Sequence, residues 1–244
     1  MPRVPFEIPR RAFLLGASAG LGAALLPRGA RASERAGTVL VIGGSAFVGA
    51  LGRFIEEGLV AAGYSAQRHA KSSTGLARPD FHDWPRQAAQ LHEAVAPIAT
   101  VCMFGGNDGQ GLHMGKGADP EWIRWHEDGW AQEYGRRVEQ FADAVAPAGE
   151  QVFWVGMPVM RESKLSTRME RMNEIFRAKM EARPGGSFID TWSVLADAQG
   201  RYAQTLVVDG KTVKVRTGDG VHYTPSGARV LADHVVPHVA AVLG

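Results

Sequence analysis

Cysteine is almost missing from this 244-residue chain, and Cys102 alone can form no intrachain disulfide and no zinc site of the Cys-x-x-Cys type. Its apolar neighbours Val101 and Met103 mark it as a small buried hydrophobe. Charge of one sign is missing too. With 27 Lys and Arg against 25 Asp and Glu, the chain lacks the basic excess of a nucleic-acid surface, so no nucleic-acid partner is expected. The apolar run from Ala12 to Leu26 is only 15 residues long and rich in Gly and Ala, short of the roughly 20 that cross a bilayer, so no permanent membrane span is expected. Besides His222, discussed below, the histidines are His69, His82, His92, His113, His126, His234 and His238, and none sits in a His-Glu-x-x-His pattern. No metal site is expected. What is present, 45% hydrophobic and 21% charged residues, suffices to bury a full core, and one folded domain is expected.

The N-terminal stretch reads as an address. Arg10-Arg11 precedes the apolar run, and Ala30-Arg31-Ala32 supplies small residues for cleavage before Ser33. Residues 1–32 are therefore expected to be an export signal, and residues 33–244 the single folded domain. The paired arginines resemble a twin-arginine signal, and an ordinary Sec signal is the alternative. Either places the protein in a bacterial periplasm or outside the cell. Cleavage removes five arginines and Glu7, leaving 22 basic and 24 acidic residues, so the exported part is close to −2.

The remainder alternates short apolar runs with helical stretches, the pattern of a βαβ architecture. Strands are expected at Thr38–Ile42, Ile98–Phe104, Gln151–Val155 and Ser187–Asp190, and helices from Phe47 to Ala62 and from Met169 to Ala182. Thr205–Val208 and Thr212–Val215 read as a hairpin around Asp209-Gly210. Thr224 is placed to cap a last helix that has Pro225 in its first turn.

The segment Ile42-Gly43-Gly44-Ser45-Ala46-Phe47-Val48-Gly49 leaves a strand and enters a helix, which suits two chemistries. Gly43, Gly44 and Gly49 resemble the GGxxFxG turn of extended short-chain dehydrogenases, where a pyrophosphate meets a helix N-terminus. That reading wants a carboxylate about 20 residues on and a Tyr-x-x-x-Lys pair. The chain offers Gln67-Arg68-His69-Ala70-Lys71 instead, and no tyrosine is followed by lysine four residues later, so no cofactor is expected. In the second reading Ser45 presents a nucleophilic hydroxyl, with its own N–H and the helix dipole facing a developing oxyanion. Phe47, where a glycine would be required, excludes the G-x-S-x-G elbow of α/β-hydrolases.

Further along, Gly105-Gly106-Asn107-Asp108 follows a strand and Asp219-Gly220-Val221-His222 precedes the last helix. Together with Ser45 and Gly75, in this order, these blocks resemble those of the SGNH (GDSL-type) hydrolases, and the likeness extends over nearly all of the chain beyond Ser33. The resemblance implies a three-layer α/β/α sandwich around a mainly parallel sheet, a flavodoxin-like architecture. It implies a Ser45, His222, Asp219 triad, and an oxyanion hole from the Ser45 and Gly75 N–H groups and the Asn107 amide. One position departs from it: Gly44 stands where the family usually has Asp.

Chemically the set is sufficient. Serine needs a base to take its proton, for which His222 is the candidate, and Asp219 three residues earlier can fix the imidazole tautomer. Each group has a plainer use, Ser45 as a helix cap, Asp219 as a turn residue, His222 as a brace; their joint order favours a hydrolase. The stretch from Gly109 to Tyr134 carries Trp122, Trp125, Trp130 and Tyr134. With Asp108 these offer substrate contacts, Trp122 and Trp125 by stacking on sugar rings, or they anchor the insert to the core. The expected activity is that of an exported serine esterase removing O-acetyl or another short acyl group from a carbohydrate such as an exopolysaccharide or cell-wall glycan. The alternatives are an O-acetyltransferase with the same triad, and a carbohydrate-binding protein that has lost efficient catalysis. Polysaccharide-synthesis machinery is the macromolecular partner such a role would bring.

Overall fold

The computed structural model describes residues 37–244, so the expected export signal at residues 1–32 lies outside the described residues. Five parallel strands make the central sheet: β1 (Thr38–Gly43), β2 (Ser65–Ala70), β3 (Ala99–Met103), β6 (Gln151–Val155) and β7 (Gly186–Ile189). Their order is β2-β1-β3-β6-β7, the flavodoxin-like arrangement once the short strands elsewhere are set aside. Val39, Leu40, Val41 and Ile42 are wholly buried, as are Val152, Phe153, Trp154 and Val155. Such continuous apolar runs are what a parallel strand covered on both faces requires. Each fully buried large side chain contributes about 1.5–3 kcal/mol.

Helix α2 (Ala50–Ala61) packs against α6 (Pro225–Leu243), while α4 (Trp130–Val145) packs between α3 (Trp84–Val95) and α5 (Ser163–Glu181). Two helical layers thus enclose the sheet in an α/β/α sandwich. The last helix starts as expected: the Thr224 hydroxyl accepts from the Gly227 N–H at 3.2 Å, and Pro225 occupies the first turn. Helix α5 starts six residues before the expected Met169, because the Glu162 carboxylate caps it by accepting from the Lys164 and Leu165 N–H groups. Leu165 in its first turn packs against the core one turn before Met169, while Ser163, Lys164 and Thr167 around it are exposed.

The helix expected from Phe47 to Ala62 is in fact two. A single turn, α1 (Ser45–Val48), ends at Gly49, whose extended backbone restarts the chain as α2. Ser45 therefore opens a short turn set directly on the end of β1. Outside the sheet lie two antiparallel pairs, β4 (Leu112–His113) with β5 (Trp122–Ile123), and β8 (Thr205–Val208) with β9 (Lys211–Lys214). The latter turns at Asp209-Gly210, both at positive φ, as the Asp-Gly pair implies.

Candidate active site

In an open parallel sheet the carboxyl ends of strands on either side of the reversal in strand order leave a crevice, here between β1 and β3. Gly43 closes β1 so tightly that a Cβ would lie 2.7 Å from the Met103 carbonyl oxygen, so the turn after β1 sits directly against the end of β3. The Gly44 N–H donates to that same carbonyl at 3.3 Å. Ser45 follows, half-buried, and as the first residue of α1 its N–H has no intrahelical acceptor.

Ser45 Oγ lies 2.8 Å from His222 Nε2, across 177 residues of sequence. The other ring nitrogen, His222 Nδ1, lies 2.8 Å from Asp219 Oδ2. The second carboxylate oxygen, Asp219 Oδ1, accepts from the Thr217 hydroxyl at 2.6 Å and from the Val221 and His222 N–H groups at 2.8 and 3.0 Å. Partial burial opposes ionisation of Asp219, but these bonds and the one to His222 prevail and hold its carboxyl far below the usual carboxylate range. An anion fixed in this way orients the ring so that Nε2 faces the serine.

The turn carrying Asp219 and His222 depends on Gly220, at φ +74 and packed under the Arg161 side chain, and is closed at its base by an antiparallel bridge between Arg216 and Tyr223. Arg216 is completely buried, donates to the Val159 carbonyl at 2.7 Å, and lies over the rings of Tyr202 and Tyr223 at 5.3 and 5.1 Å. Sequence reading passed over Arg216, since a lone arginine beside an exposed hairpin carries no signal of burial. It ties the turn to the segment after β6.

On the opposite wall Asn107 Nδ2 donates to the Thr74 carbonyl at 3.1 Å, leaving a second amide proton of Asn107 available. Gly44 makes room for this contact, since a Cβ there would lie 3.1 Å from the Thr74 oxygen and 3.9 Å from Asn107 Nδ2. At Gly44, where the resembled family usually has Asp, the loop is held by the Gly44 N–H, the Lys71 N–H to Gly43 O bond at 3.1 Å and the Asn107 amide. Gly75 is buried next to Thr74, and no hydrogen bond from its N–H is found among the described residues. It lines not the cavity that contains Ser45 but the adjoining one, and Asn107 lines both.

A family described as protein of unknown function (DUF459) matches residues 38–238. The chain belongs to that family. DUF459 is related to the SGNH hydrolases, and this member has their fold. An acetylxylan esterase from Geobacillus stearothermophilus, solved as a catalytic mutant, superposes with a TM-score of 0.52 at 12% identity over 84% of this chain and 94% of that one. For a carbohydrate esterase family 3 protein from Talaromyces cellulolyticus the TM-score is 0.54 at 13% identity, over 84% and 97%. A gut microbial diltiazem-metabolizing enzyme gives 0.57 at 14% identity over 84% of this chain, which spans only 47% of that enzyme's length. No curated protein sequence matches.

Three residues expected to touch substrate lie elsewhere in the DUF459 chain. Asp108 is fully buried, its carboxylate accepting from the Ala77 N–H and the Tyr134 hydroxyl, both at 2.8 Å, so it has no edge to offer a ligand. Burial pushes its pKa up, against those two bonds. Trp122 packs at a tilt against His113, with ring centroids 4.8 Å apart, and lies under Arg78, while Trp125 packs edge-on against Trp130 with Arg168 and Arg171 over its ring. Neither lines the Ser45 cavity. Both tryptophans fasten the insert to the body, the plainer of the two roles weighed for them.

Proposed function

We propose that this protein is a serine esterase in which Ser45 is the nucleophile, His222 the general base and Asp219 the orienting carboxylate. The reading is carried by the unbroken line of two 2.8 Å contacts, serine to imidazole and imidazole to carboxylate. Ser45 Oγ attacks the ester carbonyl while His222 Nε2 takes its proton; the oxyanion is met by the Ser45 N–H group and the Asn107 amide, which both line the cavity. Collapse breaks the bond to the alcohol, which leaves with the proton from His222. Water activated by the same nitrogen then frees the acid and the serine.

The cavity beside Ser45 is walled by Met103, Phe104, Met157, Val221 and Tyr223, which favours a short apolar acyl group such as acetyl. Carbohydrate esterases among the structural relatives and the expected export of the chain support an O-acetylated glycan as its source. The side chains of His222 and Asp219 remain 44% and 48% exposed, and a triad open to water favours hydrolysis over transfer to a second sugar.

A fluorophosphonate probe and a chromogenic acetyl ester test this reading. Covalent labelling and turnover are expected for the native protein, with both abolished in Ser45→Ala. Absence of both in the native protein, with glycan binding retained, would instead identify a binding protein built on a hydrolase fold, the reading that Gly44 motivates.

A further inference from the structure

We propose that Met157 sets the length of the acyl group by filling a groove that Gly105 and Gly106 leave open beside Ser45, so that acetyl is accepted while butyryl and longer chains are refused. This rests on the esterase reading above and narrows its substrate. Three directions leave an ester carbonyl carbon held at Ser45. Its oxygen turns to the Ser45 N–H and the Asn107 amide, and the departing alcohol oxygen turns to His222, which returns the proton. What remains for the acyl chain is the apolar side of the cavity, made by Met103, Phe104, Gly105, Gly106 and Met157.

The room on that side is small. The cavity has a volume of about 30 Å³, space for about two non-hydrogen atoms where one water needs ~10–15 Å³. Two of its walls are fixed by the core. Phe104 is buried and packs against Trp84, Phe141 and Trp154, with ring centroids 5.3, 5.0 and 5.9 Å away. Met103 is buried at the end of β3, in register with Gly43 of β1.

Met157 is held differently, firmly by its backbone and loosely by its side chain. It follows β6, and one buried residue of α5 grips both of its backbone polar groups: the Met157 N–H donates to Asn173 Oδ1 at 2.8 Å, and Asn173 Nδ2 donates to the Met157 carbonyl at 2.7 Å. From this anchor the unbranched side chain runs along the two glycines after β3. A Cβ on Gly105, where φ is +129, would lie 2.9 Å from Met157 Cγ, and one on Gly106 would lie 3.7 Å from Met157 Cε. Phe176 Cε2 comes next, 3.6 Å from the same point on Gly105. Two residues without side chains thus floor a groove that leads from Ser45 toward Phe176, and Met157 fills it. Truncation of Met157 to its Cβ removes Cγ, Sδ and Cε, close to the extra length of a butyryl or valeryl chain over acetyl. The wall that limits the chain is therefore one flexible thioether, set in place by Asn173.

The p-nitrophenyl esters of acetate, butyrate and hexanoate test the proposal, each rate taken relative to the spontaneous hydrolysis of the same ester. For the native protein kcat/KM is expected to fall about a hundredfold from acetate to butyrate, about tenfold for each methylene without room, and to be lower again on hexanoate. In Met157→Ala the acetate-to-butyrate ratio is expected to shrink by about tenfold or more, whereas in Met157→Leu, which keeps the bulk, it stays within about threefold of the native value. A circular-dichroism melt shows whether Met157→Ala is folded; if it is not, Met157→Val is read in its place, with a change in the same direction. A native ratio near one, or a native preference for acetate that the folded truncated variant keeps, would overturn the length limit while leaving the esterase intact. If no ester is turned over and the fluorophosphonate does not label the protein, the esterase reading fails, and the length limit fails with it.

Discussion

Asp219 performs two tasks with its two oxygens, and only one of them touches His222. Oδ1 fixes the turn through the Thr217 hydroxyl and two backbone N–H groups, while Oδ2 faces Nδ1 of the ring. Asn at this position would keep the first set, because its amide oxygen accepts those bonds, and would turn an NH2 group toward Nδ1. Nδ1 would then have to accept, moving the ring proton to Nε2, where it can no longer take the serine proton. Asp219→Asn is therefore expected to retain fold and melting behaviour while lowering kcat on a chromogenic ester on the order of 10³–10⁴-fold. Steady-state kinetics with a circular-dichroism melt checks both halves, and a loss under tenfold would remove Asp219 from the triad. Because its carboxyl is held far below the ordinary range, protonation of Asp219 does not set the acid limb of the rate profile above about pH 4.

At the level of elements, the Asn107-Asp108 pair divides its labour. Asn107 faces the cavity, while Asp108 turns inward to bind the Ala77 N–H and Tyr134 on α4, joining the loop after β3 to the loop after β2 and to the insert. The clasp is tight enough that a Cβ on Gly75 would lie 2.1 Å from Asp108 Oδ1. Burial raises the folded-state pKa of Asp108 above the usual value of 3.8, so above that pH the unfolded chain loses this proton first and the group draws stability down as pH rises through the window between the two values. Asp108→Asn removes the titration. The stability of the native protein relative to this variant is expected to fall as pH climbs from about 4, measured by urea unfolding at several pH values; parallel curves would show that Asp108 titrates normally.

These elements also show how far the sequence could be read. Strand β6 was legible to the residue and β1 and β3 nearly so, because apolar runs covered on both faces admit few alternatives. The triad blocks were legible because each follows a strand or precedes a helix at a fixed place. Asp108 and the two tryptophans were not, since an inward-turned carboxylate and an exposed one look alike in sequence. Nor was the break at Gly49, which a helical period passes over without interruption.

For the molecule as a whole, the consequence of the site's construction is that no single segment contains it. Ser45 sits at the end of the first described strand and His222 just before the last helix, brought to 2.8 Å only when sheet and helical layers are complete. The turn that carries His222 is fastened to the body by the buried Arg216, which donates to the Val159 carbonyl, and is closed at its base by the Thr224 N–H to the Val215 carbonyl at 3.1 Å and the Thr224 hydroxyl to the Lys214 carbonyl at 2.5 Å. Fastenings of this kind leave the turn little freedom to open by itself, so local and global unfolding coincide. In a urea series, the rate of fluorophosphonate labelling at Ser45 is expected to collapse at the same midpoint as the far-ultraviolet circular dichroism. Labelling lost well below that midpoint would show that the turn opens as a separate unit. In that event Arg216→Met should shift the labelling midpoint further down and leave the dichroism midpoint nearly in place, which assigns the separate opening to the loss of this one anchor.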